Sequence, residues 1–370
     1  VLFAHISESR DIKVMRVGII GASFAKAAFL PAFRHVPDVE VVALSSARLE
    51  SAREAARPYG VKHIYADWEV MLRTHEFDLV CIATPTVTHA PMVLSALDSG
   101  AHVLSEKPTA MNAHEAKAML DRAEQLGRVH MVDHELRFNA KRKKLRELLR
   151  SGAIGEVRHV IVHNVGASWA NPASRPRGDW WSLEEMGGGR LGANGSHQVD
   201  LLRWWLGEIT AVSGSVKTMV PNRFDKSTGE PWTATADDFV EFTAEFASGA
   251  LASVLISTIA HHRPVNETTF FGSKGTLSLS NDTEKLTFGQ AGKPMEEIEV
   301  SNPYDGLEGL GAGIWNQSVA GAVQELCAAI REKRPLREGA TFFDGLQNQR
   351  VLDAVKESEA RRCWVGVPQP

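Results

Sequence analysis

The chain has 370 residues, 44 % apolar and 23 % charged, which is enough to fill two hydrophobic cores and fits an ordinary globular protein. A formal net charge of −4 gives no electrostatic basis for binding nucleic acid. No run reaches the roughly 18 apolar residues of a membrane span, so the expected partner is a small-molecule substrate. Three scattered cysteines, Cys81, Cys327 and Cys363, form neither a metal-like pair nor a disulfide framework, which points to the reducing cytoplasm.

Residues 1–14 lack the basic start and long apolar run of a secretory signal, and Met15 stands directly before an apolar run. They are read as a non-native or disordered extension, with a native arm packed on the surface or between subunits as the alternative. From Met15 to Asp133, short apolar runs (Arg16–Ile20, Glu40–Leu44, Asp78–Ala83, His102–Leu104, Val129–Val132) alternate with helical patterns. Asn112 to Leu126 shows a capping box at Asn112 and Glu115, an apolar stripe, and Gly127 as a stop. Strands apolar on both faces between helices predict a doubly wound parallel sheet, that is, a Rossmann domain over residues 15–133. The texture then changes. A basic helix (Ala140–Arg150) leads into the β-rich runs Val157–Val165, Ala211–Val220, Phe239–Phe246, Ala250–Ile259, Glu267–Phe271 and Thr276–Leu279. Ser248-Gly249 and Gly272-Ser273-Lys274-Gly275 read as hairpin turns, and a closing helix is predicted from Thr341 to Arg361. Residues 134–370 are therefore predicted to form an α+β domain with an open, largely antiparallel sheet. One uncovered sheet face predicts a homodimer or homotetramer through this domain.

A dinucleotide is held where a strand ends and a helix begins, because free amides and the helix dipole favour phosphate there. The first such turn reads Gly21-Ala22-Ser23-Phe24-Ala25-Lys26, in which Gly21 keeps its place in the glycine fingerprint while Ser23 and Lys26 take the other two. The second strand ends in Ser45-Ser46-Ala47-Arg48, with no carboxylate for the ribose diol; Ser46 and Arg48 suit a 2′-phosphate, so NADP is slightly preferred over NAD. Thr84-Pro85 follows the fourth strand and leaves room for the cofactor. His89 either bonds across that turn or decorates the helix start.

Several segments in order resemble the glucose–fructose oxidoreductase/inositol dehydrogenase/MocA (Gfo/Idh/MocA) family. They are the Gly21 turn with Leu30-Pro31-Ala32, Thr84-Pro85 with His89, Ala96-Leu97 through Gly100-Ala101-His102-Val103-Leu104 to Glu106-Lys107-Pro108, Arg137-Phe138, Gly187-Gly188-Gly189 with Leu191, and Gly195-Ser196-His197 with Asp200. The resemblance implies NAD(P) at the first domain, substrate in the cleft, Lys107 and His197 as the catalytic residues, and a cis Lys107-Pro108 bond. Glu106 and Lys107 then join Gly21, Ala22, Ser23, Phe24, Ser46, Arg48, Thr84, Pro85 and His89 on the cofactor side. Independently of the resemblance, a lysine at the end of a buried strand can polarise a substrate oxygen, and an imidazole can take the hydroxyl proton. The family's aspartate four residues before the histidine is Ala193 here, which leaves Asn194, His134 or Arg137 to complete the site. Asp200 is a candidate to orient His197.

On the substrate side, Trp169, Arg177, Trp180 and Trp181 lie in a long loop suited to covering a site, where indoles stack on rings and arginines hold hydroxyls or carboxylates. His134, Arg137, Asn194 and Asp200 are placed with them. Arg177 and Asp179 can instead pair with each other. His130, Asp133 and His134 are considered as metal ligands and set aside, because side chains at a strand end alternate between faces; no metal is expected. His261-His262-Arg263 reads as surface. The expected function is hydride transfer between nicotinamide and a secondary alcohol or ketone of a sugar, polyol or cyclic diol. The alternatives are redox-assisted elimination or glycosidic cleavage with a tightly bound NAD, and a non-catalytic sugar or nucleotide sensor.

Overall fold

The computed structural model describes residues 13–262, 265–311 and 313–370, so the predicted extension falls almost wholly outside the described residues, as does Arg263. The first half runs β1 (Met15–Ile20), a wide helical turn (Ala25–Phe29), α1 (Leu30–Phe33), β2 (Val39–Ser45), α2 (Leu49–Ala56), β3 (His63–Tyr65) and α3 (Trp68–Thr74). It continues with β4 (Leu79–Ile82), α4 (His89–Asp98), β5 (His102–Ser105), α5 (Ala113–Gln125) and β6 (His130–Val132). The six strands are parallel, in the order β3-β2-β1-β4-β5-β6. Every residue of β4 is buried, as a strand covered by helices on both faces must be. The order reverses between β1 and β4, and the crevice at the strands' carboxyl ends is where this fold takes a ligand. The box predicted at α5 forms only in part: Asn112 accepts the Glu115 amide, but the Glu115 carboxylate accepts from the Met111 backbone amide and the Asn112 side-chain amide rather than from the Asn112 backbone.

The second half contains α6 (Ala140–Arg150), β7 (Val157–Val165), α7 (Ser196–Leu206), β8 (Ile209–Lys217), and the small pair β9 (Asn222–Phe224) and β10 (Pro231–Thr233). Then come β11 (Phe239–Phe246), β12 (Leu251–Ser257), β13 (Glu267–Gly272), β14 (Gly275–Ser280), β15 (Leu286–Gln290), β16 (Glu296–Glu297), α8 (Ile314–Glu332), α9 (Phe342–Arg361) and β17 (Val365–Gly366). Among the described residues they make a nine-stranded sheet in the order β16-β15-β14-β13-β7-β12-β11-β8-β17, antiparallel except where β7 runs parallel to β12. Along β11, Val240, Phe242, Ala244 and Phe246 are buried while Glu241 and Glu245 are exposed, the alternation of a sheet covered on one face. That inner face packs on Val199, Leu202 and Trp205 of α7 and on Val351, Leu352 and Val355 of α9. No described helix is long and apolar enough to cross a membrane.

One element departs from the expected division. Helix α8 lies far beyond residue 134, yet its Val319, Val323, Leu326 and Cys327 are buried with Val17, Ile19, Phe29 and Leu30 of the first half. Its run of small residues, Ala320-Gly321-Ala322, carries little apolar periodicity, and Gly321 sits against Phe138 and Tyr304 where a Cβ would be crowded.

A buried cation ties three segments together. Arg137, in the turn after β6, donates Nε and Nη2 to the Asp200 carboxylate on α7 at 2.9 and 2.7 Å. Its Nη2 also reaches Asp344 in the first turn of α9 at 3.0 Å, and Nη1 donates to the Gly339 carbonyl. Removing one member strands a buried charge. Arg137→Met is expected to cost about 3–5 kcal/mol in urea unfolding, whereas the double change Arg137→Met with Asp200→Leu should recover much of that loss.

Candidate active site

The carboxyl ends of β1, β2, β4 and β5 open into one cavity of about 810 Å³, closed from the other side by the second half of the chain. Gly21 makes the first turn possible: its φ is +107°, and a Cβ there would lie 2.0 Å from the Ala83 carbonyl oxygen. β1 and β4 therefore approach closely enough to leave the following turn, Ala22-Ser23-Phe24, facing the cavity. Ser46 and Arg48 after β2, and Thr84 and Pro85 after β4, line it as well. Lys26 is exposed and takes no part in the lining.

The far wall brings together residues from β5, the second half and α8. Glu106 and Lys107 enter from the end of β5, and the Lys107-Pro108 bond is cis, as the resemblance implied. Trp180, Trp181, Arg190, Ala193, Asn194 and His197 enter from the second half, and Trp315 from α8. Trp180 and Trp181 stack at 4.0 Å, and the Lys107 Nζ lies 5.8 Å from the Trp181 ring centre. The His197 ring is 5.1 Å from Trp315 and 5.5 Å from His134, and among the described residues neither of its nitrogens has a hydrogen-bond partner. Burial above all, then the charge of Lys107, holds the His197 imidazole well below its ordinary range; burial likewise brings His134 down to about 4. Both rings are therefore neutral near pH 7.

Three buried acids surround Lys107. Glu106 is 8 % exposed, Asp133 0 % and Glu135 1 %, and Glu135 reaches the cavity surface. Burial raises all three, Glu135 to about 8, with Glu106 adding to the shifts of the other two and Lys107 opposing all of them. Glu135 thus brings to the cavity a carboxyl that Ala193, 7 % exposed, does not supply.

Several expected site residues stand elsewhere. His89 is buried, its ring nitrogens at 2.9 Å from the Pro108 and Thr84 carbonyl oxygens, so it bonds across the turn behind the cavity instead of lining it. Trp169 is 1 % exposed and flanked by the Arg190 and Arg223 guanidiniums, an anchor for the loop and not a ring platform. Arg177 points to solvent near Glu230, and Asp179 pairs with Arg175 instead. Asp200 is engaged by Arg137, which leaves neither to orient His197 or meet a ligand; His134 stands behind His197. His130 accepts from the Phe342 amide and stacks on that ring, away from His134. Glu135, Arg190 and Trp315 were missed. Of these only Arg190, beside the glycine run and four residues before Asn194, offered a sequence signal.

Residues 15–134 match the oxidoreductase family with an NAD-binding Rossmann fold, and residues 142–278 match the GFO/IDH/MocA C-terminal domain. The chain is 30 % identical to D-glucoside 3-dehydrogenase of Escherichia coli over 72 % of its length and 77 % of that protein's. The chain belongs to the Gfo/Idh/MocA oxidoreductase family. It is 29 % identical to levoglucosan dehydrogenase of Pseudarthrobacter phenanthrenivorans, covering 96 % of this chain and 98 % of that one. A solved levoglucosan dehydrogenase in complex with NADH and levoglucosan superposes with a TM-score of 0.86 at 27 % identity, over 96 % of this chain and all of that one. The chain is accordingly an NAD-binding oxidoreductase.

A histidine whose folded-state pKa lies below its unfolded value binds fewer protons when folded. Its stability contribution is intact above about pH 6.5 and is lost as pH falls towards about 4. Urea unfolding at about pH 7 and about pH 5 should show His134 costing about 1.5–2 kcal/mol between them, and His134→Gln should remove that share of the loss.

Proposed function

We propose that this enzyme moves a hydride between a nicotinamide dinucleotide and a secondary alcohol or ketone on a sugar, polyol or cyclic diol. The observation that carries the reading is that Lys107 and His197, from the two halves of the chain, line one cavity with the nucleotide-type loops. The similarity to a levoglucosan dehydrogenase and a D-glucoside 3-dehydrogenase supports a carbohydrate-like substrate. The loops fit a dinucleotide: the turn after Gly21 offers its free amides to phosphate, and the ends of β2 and β4 leave room for the ribose and the nicotinamide. When bound there, the cofactor supplies the acceptor for the hydride.

The residues divide the remaining work. As the substrate's C–H bond breaks and its electron pair departs, the O–H proton passes to the neutral His197 imidazole and the C–O bond becomes a carbonyl. The Lys107 ammonium polarises that oxygen. A second cation beside Lys107 would be costly in so buried a place, and the Glu106–Asp133–Glu135 group offsets it with carboxyls that ionise when needed. Trp180 and Trp181 offer a stacking face to a ring. Neither elimination nor a sensor role is favoured by a specific observation.

Arg48 and Ser46, with no carboxylate at the end of β2, support use of NADP(H) besides NAD(H). The half-covered sheet supports a homodimer or homotetramer through its outer face, which sedimentation would show as a mass of two or four chains; a monomer would refute it. The free thiols Cys81, Cys327 and Cys363 fit a cytoplasmic setting.

The test is a panel of sugars, polyols and cyclic diols, with NAD and NADP in separate arms and nicotinamide reduction as the readout. Lys107→Ala is expected to lower kcat by about a hundredfold or more while leaving cofactor binding in place. Turnover that survives this change would remove the proposed chemistry. Arg48→Ala should weaken NADP use about tenfold and leave NAD use nearly unchanged.

A further inference from the structure

Arg190 is a guanidinium in the wall of the cavity for which the protein supplies no carboxylate partner among the described residues. It precedes the wide helical turn Leu191–Gly195 that leads into His197 and α7. Its Cζ lies over the Trp169 ring, 3.6 Å from the ring centre. The side-chain hydrogen bond it makes runs from Nη1 to the Asn194 Oδ1 at 3.4 Å, while its Nε is buried and unpartnered. The neighbouring acids are committed elsewhere. Asp237 spends one carboxylate oxygen on the amides of Arg190 and Leu191, at 2.7 and 2.8 Å. Its other oxygen lies against Gly189, where a Cβ would come within 2.1 Å. Asp179 is held in a two-pronged pair by Arg175 at 2.7 Å on each side. Asp238 accepts the Met219 and Val220 amides and faces Arg223. Burial pulls the Arg190 group down to about 10, as expected of a cation whose surroundings do not compensate it.

A half-buried cation whose Nε is buried and unpartnered is less favourable than one in water, and charge supplied from outside the protein would offset that. Arg190 lines the cavity together with Asn194, Lys107 and His197, so a ligand lying against the catalytic pair also lies against it. A planar guanidinium whose Cζ rests over an indole presents parallel N–H donors that match the two oxygens of a carboxylate. We propose that the substrate bears a carboxylate, bound by Arg190 with Asn194 beside it, and that the oxidised hydroxyl lies on the same small molecule. The substrate class is then a hydroxy acid of sugar or cyclic diol type, such as a hexuronate or a dihydroxycyclohexane carboxylate. This rests on the dehydrogenase reading above and narrows it.

The experiment compares matched pairs with the full chain and NAD or NADP: a hexose against its hexuronate, and a cyclohexanediol against the corresponding carboxylate, with hexose 6-phosphate as a third arm. A charge-assisted pair in this setting predicts kcat/KM for the acid on the order of 10- to 100-fold above the neutral partner. Arg190→Met should bring that ratio to about one, and Arg190→Lys should restore part of it. Equal use of acid and neutral partners, a ratio untouched by Arg190→Met, or a preference for the phosphate would each overturn the proposal. Trp180 and Trp181 provide a binding signal that needs no turnover: quenching of tryptophan fluorescence by hexuronate but not by hexose, lost in Arg190→Met. If no alcohol is oxidised, the dehydrogenase reading fails while this binding comparison still decides the role of Arg190. Should Arg190→Met lower the melting temperature sharply, Arg190→Gln keeps the packing on Trp169 and removes the charge.

Discussion

Much of this architecture depends on one buried ion cluster, Arg137 with Asp200 and Asp344. The arginine follows β6 in the first sheet, one aspartate sits on α7 and the other starts α9. Desolvating these charges is tolerable because the guanidinium satisfies both carboxylates and the Gly339 carbonyl at once. The cluster sets where α7 begins relative to the end of the parallel sheet. His197 stands less than one helical turn before Asp200, so the same cluster determines how His197 meets Lys107. Arg137 and Asp200, which looked like substrate ligands in the sequence, pair with each other and frame the segment that carries the proposed catalytic His197.

The alternating half of the fold was legible because its signals are local. Continuous apolar strands, a glycine that only the β1–β4 approach explains, and the box-like start of α5 each occupy a few adjacent residues. The antiparallel strands were legible for the same reason, through alternation and turn glycines. What escaped was non-local. Glu135 is polar in a row of mixed residues, and nothing nearby says that it is 1 % exposed. Trp315 reaches the cavity only because α8 folds back from the far end of the chain. His89 and Trp169 were assigned to the site because residue type alone cannot say on which side of a turn a ring lies.

The electrostatic character of the cavity is unusual in its separation of signs. The acids cluster beneath Lys107, where burial pushes all three carboxyls towards the protonated form and Lys107 opposes that shift. The cations Lys107, Arg48 and Arg190 are distributed along the walls. A pair of neutral imidazoles stands between. Such an arrangement suits a reaction in which charge shifts at one carbon and one oxygen, while anionic groups of the ligands are held further out.

Helix α8 has a bearing on how the chain comes to be folded at all. All six parallel strands can pair once β6 has been made, yet Val17, Phe29 and Leu30 lack the apolar cover of Val319, Val323 and Leu326 until α8 exists, and the β6 edge lacks the Ala340 carbonyl that the Val132 amide meets. During synthesis the leading half must therefore wait, with a sticky surface open, while strands β7 to β16 of the second sheet are produced. The dinucleotide-binding half is thus not a detachable module: its last structural layer is encoded near the other end of the polypeptide. A cut between the two sequence halves would separate a core from its own lid.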